Sequence, residues 1–115
     1  MSILSEIYEY KKNFVENRKI KTDINRLKEL SANYTPKGFI AKIKDSISKK
    51  NISIIGELKK ASPSAGIIFD NNKDYFDIAK KYQNNNISCL SILTDEKFFK
   101  GSDKDLIGIR EIVDI

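Results

Sequence analysis

ISIIGELKKASPSAG, residues 52–66, carries the change of pattern on which the fold turns. Before it, apolar residues recur every three or four positions. From Ile52 they crowd together, with isoleucines at 52, 54 and 55, and this suits a buried strand over about 52–59. Strand side chains alternate with period two, so Ser53, Ile55, Glu57 and Lys59 share one face. The following Ala61-Ser62-Pro63-Ser64-Ala65-Gly66 is rich in proline, glycine and serine and reads as a loop.

Toward the C-terminus, Tyr75, Phe76, Ile78, Ala79 and Tyr82 restore helical spacing over about 74–83, with Asp74 as the candidate cap. ISCLSILT, residues 87–94, reads as a second strand, and the loop DEKFFKG follows it. Ser102, with Asp105 three residues on, caps a last helix whose apolar positions are Leu106, Ile109, Ile112 and Val113. Toward the N-terminus, Ile3, Ile7, Tyr10, Phe14 and Val15 mark an amphipathic helix over 3–18. A shorter helix starts at Thr22 or Asp23, with Ile24, Leu27 and Leu30 on one stripe. Thr35-Pro36 opens a third helix whose buried face is Phe39, Ile40, Ile43 and Ile47. Three helices, then strand, helix, strand and helix, make an α/β chain with a parallel pair joined by a right-handed crossover. Two parallel strands are too few for a sheet buried on both faces, so the sequence reads as the front of something longer.

Composition narrows the chemistry. With 115 residues, 40% hydrophobic and 32% charged, the chain suits one globular domain. It has no histidine, which removes histidine triads, general bases and metal sites, and its single cysteine, Cys89, removes disulfides and thiolate zinc clusters. Residues 1–50 hold 12 basic and 6 acidic side chains, whereas 51–115 hold 9 and 10. The leading basic residues alternate with Glu6, Glu9, Glu16 and Asp23, the pattern of a solvated helix face. A small basic module binding nucleic acid or an acidic partner is the rival reading of this half. MSILSEIYEYKK has neither a secretory nor a transit pattern, and no stretch approaches the ~18 apolar residues of a membrane span. The expected compartment is the cytoplasm.

Glu57 and Lys59 lie side by side at the C-terminal end of the first strand, the end from which α/β folds draw ligand-binding and catalytic groups. Spacing alone leaves these readings: a salt bridge on the strand rim, or a buried pair that holds a lysine charged for phosphate or carboxylate binding or tunes either partner for proton transfer. Ser62-Pro63-Ser64-Ala65-Gly66 offers hydroxyls and backbone N–H groups suited to an anion, or is an ordinary connecting turn. It has no P-loop or dinucleotide-binding spacing. Phe98 and Phe99 sit in the loop after the second strand, either packed beneath it or as a lid over a planar substrate. Cys89 reads as a small core residue, and Tyr75, Phe76 and Tyr82 as helix-to-sheet packing.

ISIIGELKKASPSAG at 52–66 and ISCLSILTDEKFFKGS at 87–102 together resemble indole-3-glycerol-phosphate synthase, an enzyme of tryptophan biosynthesis. ILSEIYEYKK, GFIAKIKDSISKK and LIGIREIV extend the resemblance over essentially the whole chain, while Gly56 and Leu58 depart from the family's usual strand without touching the charged positions. The resemblance implies the N-terminal part of a (β/α)₈ TIM barrel: a helical extension over 1–50 and the first two βα units over 51–115, with the barrel incomplete. It implies a carboxy-lyase that converts 1-(2-carboxyphenylamino)-1-deoxyribulose 5-phosphate into indole-3-glycerol phosphate by ring closure, decarboxylation and dehydration, with no metal or organic cofactor. Glu57 would be the first-strand carboxylate that interacts with a catalytic lysine, and Lys59 the lysine that contacts the anionic substrate. Ser62 and Pro63 would belong to the substrate-lining loop and Phe99 to the aromatic wall. The partner implied is a phosphorylated small molecule, with no nucleic acid and no membrane; fusion to or association with other tryptophan-pathway enzymes is left open. A complete enzyme of this kind needs roughly 250 residues, and its third-strand catalytic lysine and later phosphate-binding loops have no counterpart here. The isolated 115-residue polypeptide is therefore expected to be inactive.

Overall fold

The computed structural model describes all residues, 1–115, and the chain divides into two compact units, Met1–Pro36 and Lys37–Ile115. In the first, α1 (Ile3–Lys21) starts at Ser2, whose hydroxyl accepts from the Ser5 amide at 3.2 Å. α2 (Ile24–Ser31) starts at Asp23, whose carboxylate accepts from the Arg26 amide at 2.9 Å. Neither helix has a fully buried residue. The stripe Ile7, Tyr10 and Phe14 is half-buried, with the two rings 6.1 Å apart. The charges interleave as the sequence suggests: Lys19 pairs with Glu16 at 2.8 Å and Arg26 with Glu29 at 3.0 Å.

The second unit runs α3 (Phe39–Ser48), β1 (Ile55–Leu58), β2 (Ala61–Ser62), β3 (Gly66–Ile67), α4 (Asn72–Asn84), β4 (Cys89–Ile92) and α5 (Asp103–Ile112). β1 and β4 pair in parallel, Ile55 opposite Cys89 and Glu57 opposite Ser91. Helices α4 and α5 cover one face of this pair. Leu58 (1% exposed) packs there with Tyr75 (0%), Ala79, Ile109 and Val113, and Leu90 and Ile92 join the cluster. Gly56 lies on the same face and lets α4 approach closely: a Cβ there would stand 2.8 Å from the Tyr82 ring. Tyr75 and Tyr82 thus serve the helix-to-sheet packing expected of them. Cys89 is buried too, its thiol donating to the Phe39 carbonyl at 3.5 Å, and burial pushes that thiol up, partly offset by Lys42.

Several expectations need correction. The first strand is shorter than 52–59, because the ladder starts only where Cys89 faces Ile55, and Ile52 is 86% exposed. The opposite sheet face is covered only in part: α3 meets it at Cys89, while Ile55 beside it is 51% exposed. The third helix does not begin at Thr35-Pro36. It begins at Phe39 after Gly38, whose φ of +80° is left-handed, and Phe39, Ile40 and Ile47 are exposed rather than buried. Residues 61–67 are not irregular; Ala61 pairs with Ile67 and Ser62 with Gly66 in a small antiparallel hairpin, with Gly66 at φ +69°. The cap of α4 is Asn71, whose side chain accepts from the Asp74 amide at 2.9 Å, so Asp74 sits inside the first turn.

Candidate active site

Because β1 and β4 are parallel, the segments that follow them leave the same end of the sheet. Beyond the last ladder pair, Leu93 N–H donates to the Leu58 carbonyl at 3.1 Å, and Ala61 N–H donates to the Phe99 carbonyl at 3.2 Å. The second bond joins the hairpin after β1 to the loop after β4. All five candidate residues therefore lie on β1 or on the two segments at this one end.

Glu57 sits on the sheet face that α4 and α5 leave open, level with Ser91. Its carboxylate lies 3.3 Å from the Lys59 ammonium, with Glu57 50% and Lys59 34% exposed. The period-two reading thus places both groups correctly, but the pair is half open rather than buried. An ion pair this exposed contributes little to stability and leaves both groups accessible to a charged ligand. Ser62 and Pro63 lie in the hairpin. The Ser62 hydroxyl accepts from the Ala65 amide at 3.0 Å and lies 3.4 Å from the Ser64 hydroxyl, so its hydrogen bonds shape the turn.

Phe99 is held by a residue that the motif reading passed over. Asp95 is 8% exposed, and its carboxylate accepts from the Phe98 amide at 2.6 Å and the Phe99 amide at 3.2 Å, while its carbonyl accepts from the Gly101 amide at 2.8 Å. Gly101 has no room for a side chain, because a Cβ would lie 1.9 Å from the Leu93 carbonyl oxygen. A carboxylate wrapped by the following amides is a familiar turn device, so the Asp three and four residues before the two phenylalanines was the available signal. Lys60 was likewise passed over, and Asp105 was read only as part of the helix cap at Ser102. Their side chains meet at 2.7 Å, 14% and 6% exposed, and the Lys60 ammonium lies 4.9 Å from the Tyr75 ring centre. No group of three or more metal-ligating side chains forms.

A cleft of about 810 Å³ lies at the other end of the strands, bordered by Lys37, Lys42, Asn51 and Ser88. Its lysines are turned to a structural task. Lys37 donates to the carbonyls of Arg110 and Val113, and Lys42 to that of Asp114, closing the C-terminal end of α5. The end bearing Glu57, Lys59 and Phe99 is the better candidate, since α/β sheets bind ligands beyond the C-terminal ends of their strands.

Comparison with known proteins bears on the same stretches. A family model described as indole-3-glycerol phosphate synthase matches residues 4–115. Indole-3-glycerol phosphate synthase of Thermoanaerobacter pseudethanolicus is 40% identical over 113 residues, covering 96% of this chain and 40% of the relative. That of Trichodesmium erythraeum is 39% identical over 115 residues, 99% of this chain and 38% of the relative. That of Roseiflexus sp. is 38% identical over 114 residues, 98% and 41%. The chain therefore spans about 40% of the length of the curated relatives it matches. With the match running through both strands and both loops at the site-bearing end, the chain belongs to the indole-3-glycerol phosphate synthase family.

Proposed function

We propose that residues 1–50 form the helical extension, and 51–115 the first two βα units, of a (β/α)₈ barrel that cyclises and decarboxylates 1-(2-carboxyphenylamino)-1-deoxyribulose 5-phosphate to indole-3-glycerol phosphate. The observation that carries this reading is the Glu57–Lys59 pair, 3.3 Å apart and open to solvent on the sheet face that α4 and α5 leave bare. The substrate is anionic at its carboxylate and its phosphate. Lys59 meets one of these anions, and Glu57 holds the ammonium in place while keeping a second oxygen for a cation from a later strand. Ring closure at a carbonyl builds negative charge on its oxygen and needs a proton donor in a shielded pocket. Phe99 forms the wall against the substrate's aromatic ring, and Ser62 and Pro63 line the adjacent loop. The 115-residue polypeptide on its own carries two of eight βα units and does not turn over substrate.

The test replaces the matched segment of the Thermoanaerobacter pseudethanolicus relative with this chain and assays formation of indole-3-glycerol phosphate. The graft is expected to be active and the 115-residue polypeptide alone inactive. Glu57→Gln and Lys59→Ala in the graft are expected to lower turnover by about 100-fold or more with the fold retained. Unchanged turnover in both variants would reduce the pair to a rim salt bridge and overturn the assignment.

A further inference from the structure

Resting on that functional reading, we infer that Lys60 and Asp105 are positioning residues: their largely buried ion pair clamps the hairpin after β1 to the first turn of α5, setting the loop of Lys59, Ser62 and Pro63 against the loop of Phe99. Lys60 is the residue after Lys59 and the residue before the hairpin. Its carbonyl accepts from the Ile68 amide at 2.7 Å and the Phe69 amide at 3.1 Å, so the same residue gathers both ends of the hairpin. Its ammonium reaches across 45 positions of sequence to Asp105 Oδ1 at 2.7 Å. Asp105 in turn is fixed at the start of α5, its amide donating to Ser102 Oγ at 3.3 Å. The Ala61-to-Phe99 bond at 3.2 Å joins the hairpin directly to the loop that precedes α5.

A role in packing alone does not account for this arrangement. Buried ion pairs are poor sources of net stability, and apolar replacements of similar volume are often neutral or stabilising. Asp105 Oδ2 is buried and makes no hydrogen bond, so Lys60 answers the carboxylate charge with little other help. What the pair supplies is direction. A charged contact seated between the Tyr75 ring and α5 fixes where the chain leaves β1, and Lys59 sits at that departure point.

Two variants separate positioning from simple stabilisation. Asp105→Asn leaves Lys60 unpaired, and in the 115-residue chain amide exchange at Ala61, Ile68 and Phe69 is expected to rise at least about tenfold relative to the amides of the β1–β4 ladder. Lys60→Met with Asp105→Leu removes both charges; the unfolding midpoint is expected to stay near that of the parent while exchange at Ala61 stays fast. In the grafted enzyme this double variant is expected to lose about tenfold or more in kcat with a smaller change in KM, and Lys60→Arg to keep most of the turnover. Slow, parent-like exchange at Ala61 in the double variant, or parent-like kcat, would overturn the clamp. An inactive unsubstituted graft with Ala61 exchange still accelerated in the chain would instead fail the functional reading and leave the clamp supported.

Discussion

Gly101→Ala tests how tightly the Phe99 loop is built onto the end of β4. The added Cβ would lie 1.9 Å from the Leu93 carbonyl oxygen, 2.9 Å from its carbon and 3.1 Å from Thr94 Cα. An unstrained carbon contact lies at roughly 3.5 Å, so about 1.6 Å of movement is required. All three neighbours are backbone, and no side-chain rotation relieves them. Overpacking of this kind costs about 1–3 kcal/mol. Moving the turn also strains the Gly101 N–H bond to the Asp95 carbonyl, a further loss of about 1 kcal/mol. The sum, about 3 kcal/mol, corresponds to a fall of about 1.5 M in the urea midpoint for a slope near 2 kcal/mol/M. Gly66→Ala is the control. Its added Cβ meets nothing within 4 Å but sits at φ +69°, so it costs about 1 kcal/mol through backbone strain alone. Equilibrium urea unfolding of both variants decides the matter: a Gly101→Ala midpoint within error of the parent, or no lower than that of Gly66→Ala, would refute the argument.

Three further outcomes are expected. Leu58→Ala removes the largest aliphatic side chain of the buried cluster and should destabilise the chain by about 2–5 kcal/mol, read from the same urea titration. Asp95→Ala releases the Phe98 and Phe99 amides; their exchange should accelerate, and stability should drop by about 2 kcal/mol, with unchanged exchange counting against the turn as the anchor of Phe99. Burial, aided by Asp105, pushes the Tyr75 phenol up to about 12 from 10.0. The unfolded chain ionises first, so this contribution is complete below pH 10 and is lost as pH rises from there toward 12, a loss on the order of 2 kcal/mol. Tyr75→Phe should flatten that decline in a pH series of unfolding measurements, and an equally steep decline would assign it elsewhere.

The parts of the fold that local chemistry governs were legible along the chain. Ser102 with Asp105 three residues on announced a capped helix, and the Ser102 hydroxyl does accept from the Asp105 amide. Alternation in β1 put Glu57 and Lys59 on one side, where the structure finds them paired. Short-range reading faltered where two local devices competed, as at Asn71 and Asp74, both of them capable caps four residues or fewer from the helix start. It also faltered at 61–67, where proline and glycine mark a turn but do not say that the flanking residues pair.

The sequence by itself determined the element types outside 61–67, the parallel strand pair and the charged positions at the end of β1, because helical period, alternation and capping act between residues close along the chain. The tertiary structure alone decided which distant residues meet. Lys60 finds Asp105, and Ala61 finds Phe99, only because the parallel crossover brings two strand ends to the same side. Exposure was decided there too. Ile52, Ile55 and the apolar side of α3 carry the residue types of a core, yet burial depends on what packs against them, which no local pattern encodes.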